Sequence, residues 1–415
     1  MFTEINEFSP AWYYSLLSPL SSLLTPNSMI TPAHRIASVP EYYFSRKLKE
    51  VAQLNAEGHD IISLAIGSPD LPPSAQTIET LCHEARRPTA HGYQPTSGTP
   101  ELKCAMAGYY QRRYGVTLNP QTEIQPLIGS KEGILHTTLA FVNPGEKVLV
   151  PNPGYPTYTA LSRLLGCEVV YYDLTEENGW QPDFEALEAM DLAGVKIMWV
   201  NYPHMPTGAV ALKETYERLV AFGHRHHILI VNDNPYSTIL NRHPQSLLQV
   251  PGAMDCCIEF NSMSKSHNMP GWRIGMLAAK AEYIQYILRV KSNIDSGTFR
   301  AMQLAAVAAY DNDDAWHEVH NYNIYLPRRR AAEQIMEALN CKYDPHQVGM
   351  FLWGRIPDHY DTVETLTEHL LHEAKVFIAP GFIFGSNGNR YIRISLCATE
   401  EKIQEALHRI RALQL

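Results

Sequence analysis

The chain has no Cys-x-x-Cys pair, no basic excess and no apolar run near the ~20 residues of a bilayer span. Its seven cysteines (82, 104, 167, 256, 257, 341 and 397) are odd in number and scattered, three of them in apolar strand-like contexts. This excludes a secreted-type disulfide framework and reads as small buried hydrophobes in a reducing compartment, for which the cytoplasm fits best. Lysine and arginine number 34 against 43 acidic residues, a net charge of −9, which argues against nucleic acid or an anionic membrane as the main partner. The densest basic run, Arg328-Arg329-Arg330, sits in helical text and reads as a solvated face. Residues 1–28 hold Glu4 and Glu7 but no lysine or arginine, so neither a secretory signal nor a transit peptide is written there. They read as an N-terminal extension: either Met29 is an internal start, or the segment is an arm packed on the body or on a partner subunit.

What is present is an alternation. The chain has 415 residues, 45% of them hydrophobic, enough for a large and a small domain. Short apolar runs at Ile124–Ile128, Lys147–Val150, Glu168–Tyr172, Lys196–Val200, Ile228–Val231, Cys256–Phe260 and Ile274–Ala278 read as strands. Helical patterns such as Lys131–Phe141, Pro156–Leu165 and Glu214–Arg225 lie between them. The expectation is an α/β fold: a large domain with a mostly parallel seven-stranded sheet flanked by helices. After Lys291 the text changes to long helices (Ala301–Tyr310, Ala315–Leu339), strands near Met350–Trp353, Val376–Ile378 and Tyr391–Ser395, and a last helix Glu400–Leu413. This predicts a smaller α+β domain built from both chain ends, with 29–60 and 301–415 flanking a large cofactor-binding domain at 61–300.

Candidate site residues cluster at strand ends, where open α/β sheets bind ligands. Ser262-Met263-Ser264-Lys265, with Arg273 and Gly275 following, sets hydroxyls, one amine and one guanidinium at the mouth of a sheet. That suits a phosphate, together with a lysine able to form a Schiff base with an aldehyde. Gly129-Ser130-Lys131 opens a helix whose amides suit an anion, or is an ordinary turn. Tyr155 stands on a rigid turn as a ring-stacking aromatic or a packing one. Asp233 ends a strand of strong β character, a carboxylate placed to meet a ligand or to cap a helix, with Tyr236 three residues on. Arg393 is a carboxylate fork or an exposed strand arginine. His224-Arg225-His226-His227 ends a helix and reads as dipole complement rather than metal site; no metal is expected. Asp311-Asn312-Asp313-Asp314 lacks calcium-loop spacing and reads as a helix start.

In order along residues 30–410, these segments resemble the fold-type-I, class I/II aminotransferases that use pyridoxal 5′-phosphate. The matches are Gly67-x-Pro69-Asp70, Tyr93-x4-Gly98-x3-Leu102-Lys103, Tyr155, Asp233-x-x-Tyr236, Ser262-x-Ser264-Lys265-x7-Arg273-x-Gly275 and Arg393-x-Ser395. The resemblance implies that Lys265 carries the cofactor and acts as general base, Tyr155 stacks on its ring, Asp233 holds its pyridine nitrogen protonated and Tyr236 donates to its phenolate oxygen. It further implies that Arg393 binds the substrate α-carboxylate, Gly67 lies at the substrate mouth, and Tyr93 reaches the phosphate of the other subunit in a homodimer with shared active sites. One departure stands out. Where the family has an asparagine that donates to the phenolate, Asn201-Tyr202-Pro203-His204-Met205-Pro206-Thr207-Gly208 puts Met205, a thioether that cannot donate. His204, Asn201 or a water are the substitutes.

The implied reaction moves an amino group from an L-amino acid to a 2-oxo acid. Aspartate ranks low as donor, because only Lys291 stands near the segment where dicarboxylate-specific relatives carry a second arginine. A broad neutral, aromatic or sulfur amino acid is favoured, with a diaminopimelate-type substrate as a further candidate. A carbon–sulfur β-lyase on the same scaffold is the alternative. A non-catalytic regulator is the reading from another class, and residues 1–28 cannot supply the DNA-binding module it needs.

Overall fold

The computed structural model describes residues 30–413, apart from 40 and 42. The expectation for 1–28 therefore lies outside the described residues. The large sheet has seven strands: β1 Ile124–Leu127, β2 Lys147–Asn152, β3 Glu168–Asp173, β4 Val195–Val200, β5 Leu229–Asp233, β6 Cys257–Ser262 and β7 Gly275–Ala279. Their order across the sheet is β1-β7-β6-β5-β4-β2-β3. Only β7 runs against its neighbours, so the carboxyl ends of the other six share one edge with the amino end of β7.

The strands are apolar on both faces because both faces are covered. Val148, Val150, Ile197, Trp199, Val231, Ile258 and Phe260 pack into one apolar cluster, which takes in Ile134, Ile284 and Ile287 from covering helices. Their alternate neighbours Leu149, Met198, Val200, Ile230 and Cys257 join the larger cluster on the other side. All seven expected strands are found within two residues of their bounds, and the mixed α/β class with them.

The small domain draws on both ends of the chain. Its antiparallel sheet runs Ala379–Pro380, Tyr391–Ser395, Phe351–Arg355, Lys342–Tyr343. Ile62–Ser63 pairs in parallel with Val376–Phe377. Lys47, on helix Tyr43–Ala56, bonds Glu368 at 2.7 Å. Helix Arg300–Tyr310 packs against Ala75–Ala85 and Pro100–Tyr114, and so sits with the large domain rather than beyond it.

Two readings need correction. The helix expected over Ala315–Leu339 is broken by a wide turn at Val319–Asn323, where Ile324 N–H reaches back five residues to Val319 O. Arg328 is not on a solvated face: it is 5% exposed and forks onto Asp70 at 2.8 and 2.9 Å. That pair pins the Gly67–Asp70 loop to a small-domain helix. Five cysteines are buried, Cys82 and Cys104 are exposed, and all seven are free. Among the described residues no helix is long and apolar enough to cross a membrane.

Candidate active site

The common edge of the large sheet collects the polar residues. After β6 the chain enters the short helix Met263–Ser266, capped by Ser262 Oγ, which accepts from Ser264 N–H at 3.2 Å. Lys265 Nζ donates from that turn to Gly67 O. Burial, with the nearby Arg393 and Arg273 charges adding to it, pulls the Lys265 ammonium below its ordinary pKa. Phe351 leaves no room for a Cβ at Gly67, whose ideal position lies 2.3 Å from the ring.

Beside the lysine lies a tight cationic cradle. Gly129 has φ +77°, and a Cβ there would sit 2.2 Å from Arg273 Nη2. A Cβ on Gly275 would lie 2.8 Å from Ser130 N. Two glycines therefore let Arg273, the first amide of helix Ser130–Phe141 and the head of β7 close on one another. Buried Ser262 and Ser264 border the same turn. Lys131 is held below its ordinary pKa by burial first and by Arg273 second. A helix N-terminus, two cations and backbone amides make a site for a doubly charged anion.

Across from the cradle, Asp233 closes β5 with 5% exposure. Its Oδ2 accepts from Tyr158 O–H at 3.0 Å, while Oδ1 is buried without a partner. Burial raises its pKa to about 7, against the lowering effect of the Tyr158 bond. An orphaned carboxylate oxygen calls for an N–H donor, and a protonated heterocycle is one. Tyr155 and Tyr158 meet edge to face at 5.5 Å, and Tyr158 stacks on Trp199 at 5.0 Å. Tyr236 is half-buried, edge-on to Phe351 at 5.7 Å, and burial holds its hydroxyl protonated.

Arg393, 5% exposed, is the opposite of an exposed strand arginine. Its guanidinium lies between Phe351 at 3.9 Å and Phe384 at 4.5 Å. It donates to Ala65 O at 2.6 Å and to Met205 Sδ at 3.3 Å. Met205 thus sits against Arg393. Of the substitutes considered for it, Asn201 is already engaged, donating to Asp233 O at 2.5 Å and accepting from Met205 N–H at 2.9 Å. His204 Nδ1 pairs with Thr207 Oγ1 at 2.8 Å, and burial drops the ring's pKa to about 3.

The structure gathers Gly67, Gly129, Ser130, Lys131, Tyr155, Met205, Asp233, Tyr236, Ser262, Ser264, Lys265, Arg273 and Arg393 about this edge. Tyr93 stands apart, 95% exposed, beside the bridge of Gln94 to Gly297. Lys291 is no free cation: 2% exposed, it is held by Glu132 and by both oxygens of Asp295 at 2.8 Å. His226 pairs with Glu188 at 2.8 Å and His224 with Gly252 O at 3.1 Å, while Asp313 caps the next helix through Trp316 N–H at 2.8 Å.

Sequence reasoning missed Tyr158, Phe351 and Phe384. The i+3 spacing of Tyr158 from Tyr155 is the single signal that was available; Phe384 and Phe351, 9 and 42 positions from Arg393 with no helical or strand period linking them, leave none.

A family model described as aminotransferase class I and II matches residues 59–410. An LL-diaminopimelate aminotransferase of Dehalococcoides mccartyi is 40% identical over 380 residues, covering 91% of this chain and 97% of the relative. One of Oleidesulfovibrio alaskensis is 39% identical, covering 93% and 100%. Among solved structures, apo-BacF from Bacillus subtilis superposes with a TM-score of 0.89 at 36% identity over 94% of this chain and 99% of that one. With the anion cradle, the buried amine and the orphaned carboxylate all on one sheet edge, these likenesses close the case: the chain belongs to the class I and II aminotransferases and is a pyridoxal-phosphate-dependent transaminase.

Proposed function

We propose that the amino donor is a long amino acid with a polar far end, of the LL-diaminopimelate kind, and that a 2-oxo acid is the acceptor. The observation that carries this is the 40% identity, over 97% of their length, to relatives named for that substrate. The burial of Lys291 between two carboxylates supports the low rank of aspartate, because that lysine is not left to meet a carboxylate held on so short a side chain.

The residues present fit the cofactor. Gly129, Ser130, Lys131, Ser262, Ser264 and Arg273 are the groups to hold its phosphate. Asp233 Oδ1 takes the pyridine N–H, which returns that buried oxygen a partner. Tyr155 would cover the ring and Tyr236 would donate to the phenolate oxygen, while Met205 lies against Arg393. When bound, pyridoxal phosphate supplies an aldehyde for amines and a ring that takes up electrons. Lys265 would anchor it and would hold the proton moved at the substrate Cα, a task favoured by the burial that pulls its ammonium below the ordinary pKa. Arg393 would grip the α-carboxylate, and Gly67 at the substrate mouth admits the Phe351 ring that packs on that arginine.

Tyr93, a tyrosine 95% exposed, supports a homodimer in which it completes the partner's phosphate site. The cytoplasm is the compartment that suits seven free thiols. The test is a half-reaction screen. Purified protein is mixed with single amino acids and its visible band is followed to the pyridoxamine form. LL-diaminopimelate should convert it fastest; faster conversion by aspartate would overturn the reading, and pyruvate released from cystathionine without an oxo acid would point to elimination.

A further inference from the structure

The small and large domains are tied together beside the site by one compact set of amides. Asn152, the last residue of β2, donates through Nδ2 to Asp173 Oδ1 and to Ser386 Oγ, both at 2.9 Å. Its Oδ1 accepts from Asn387 N–H at 3.2 Å. Asn387 Nδ2 returns bonds to Asn152 O at 3.1 Å and to Asp173 Oδ1 at 2.9 Å. The fit is close enough to dictate a glycine: Gly385 has φ +136°, and a Cβ there would lie 2.2 Å from Asn152 Oδ1.

What this set holds is Phe384. Of the two rings that flank Arg393 most closely, Phe351 is fixed by its strand, paired with Ser395 in the small sheet. Phe384 sits in the short turn Gly381–Phe384, outside any sheet. Its carbonyl accepts from Gly154 N–H at 2.8 Å, one residue before Tyr155. The same turn therefore touches the arginine on one side and the base of the tyrosine on the other. The arginine is held by Ala65 O at 2.6 Å and by the Met205 thioether, and Phe384 closes one face of its guanidinium at 4.5 Å.

We infer that Asn152, Asp173 and Asn387 are positioning residues, a clasp that docks the 384–387 turn on the end of β2 and so sets the separation between Arg393 and Tyr155. The inference rests on the proposed roles of those two residues as carboxylate fork and ring cover. Both substrates carry an α-carboxylate, so loosening the clasp weakens amino acid and oxo acid alike.

The test uses the holoenzyme. Asn387→Ala, which removes two hydrogen bonds of the clasp, should raise KM for both substrates at least about fivefold, with kcat and cofactor absorbance unchanged. Asn387→Asp, which faces a second carboxylate across to Asp173, should raise KM further. Adding Asp173→Asn to it restores a donor and an acceptor and should bring KM back. A lowered Tm with KM unchanged in Asn387→Ala would overturn the clasp and leave a merely structural contact. Arg393→Ala is the control: if it too leaves KM unchanged, the carboxylate reading falls and the clasp with it; if it alone raises KM, only the clasp falls.

Discussion

Asp233 shows how burial and a missing partner compete at one side chain. Its folded pKa of about 7 stands well above the ordinary carboxylate value near ~3.9. The folded cofactor-free chain therefore keeps a proton that the unfolded chain gives up, and it loses stability as pH rises from about 4 to about 7. Asp233→Asn removes that loss. Without cofactor the variant should unfold at a higher temperature than wild type at pH 8, with the gap closing towards pH 4. With cofactor the order should reverse, because the amide cannot pair with a pyridinium. Unfolding curves at both pH values, with and without cofactor, check this; an equal gap at pH 4 and pH 8 would show that Asp233 ionises normally. Asp233, Lys265 and Arg393 could be singled out as candidates because Asp233 and Arg393 break apolar strand text with a charge and Lys265 follows two serines at a strand's end. Tyr158 and Phe384 were not, because an aromatic that serves the site and one that fills a core are written alike.

Among the elements, the helix Ser130–Phe141 depends on the residue ahead of it. Gly129 combines a left-handed φ with a clash for any Cβ against Arg273, so backbone and packing make the same demand. Gly129→Ala should weaken cofactor retention at least tenfold, on the order of 1.4 kcal/mol, while lowering Tm by only a few degrees. Equilibrium dialysis against pyridoxal phosphate measures it, and unchanged retention would place the phosphate elsewhere. The strands were readable because both faces of the sheet are covered, which turns each into an unbroken apolar run. The break at Val319–Asn323 was not, since a wide turn keeps the helical spacing of apolar residues on either side of it. Arg328 failed for a related reason: a partner at Asp70, 258 positions away, leaves no mark on local charge pattern.

At the scale of the whole molecule, Lys291 joins distant parts through charge. It ends helix Ala281–Lys291 and reaches Glu132, in the first turn after the anion cradle, 159 residues away, while also holding Asp295. Burial has already pushed the Glu132 carboxyl upward against the pull of that lysine. Lys291→Met strands two carboxylates in the interior and should cost about 3–5 kcal/mol in urea unfolding at neutral pH. The loss should shrink as acid protonates the pair; a deficit that stays constant with pH would mean lost packing, not lost charge. The fold class was legible at this scale from alternation alone, whereas the expectation that Tyr93 faces a partner came only from resemblance.

The bond from Arg393 to Ala65 O spans 328 residues, and the Lys265 contact with Gly67 spans 198. Loops of such length close late in folding, because their entropy is lost before any contact rewards it. Residues 65–67 and 393 are brought together only when strand Tyr391–Ser395 returns to the segment that follows Ile62–Ser63, where Ser395 N–H reaches Leu64 O at 2.7 Å. A refolding chain should accordingly regain cofactor colour as its final event, after helix content has recovered. Cofactor supplied from the outset would not hasten that return; it would act as a lock, slowing the first opening of the finished molecule.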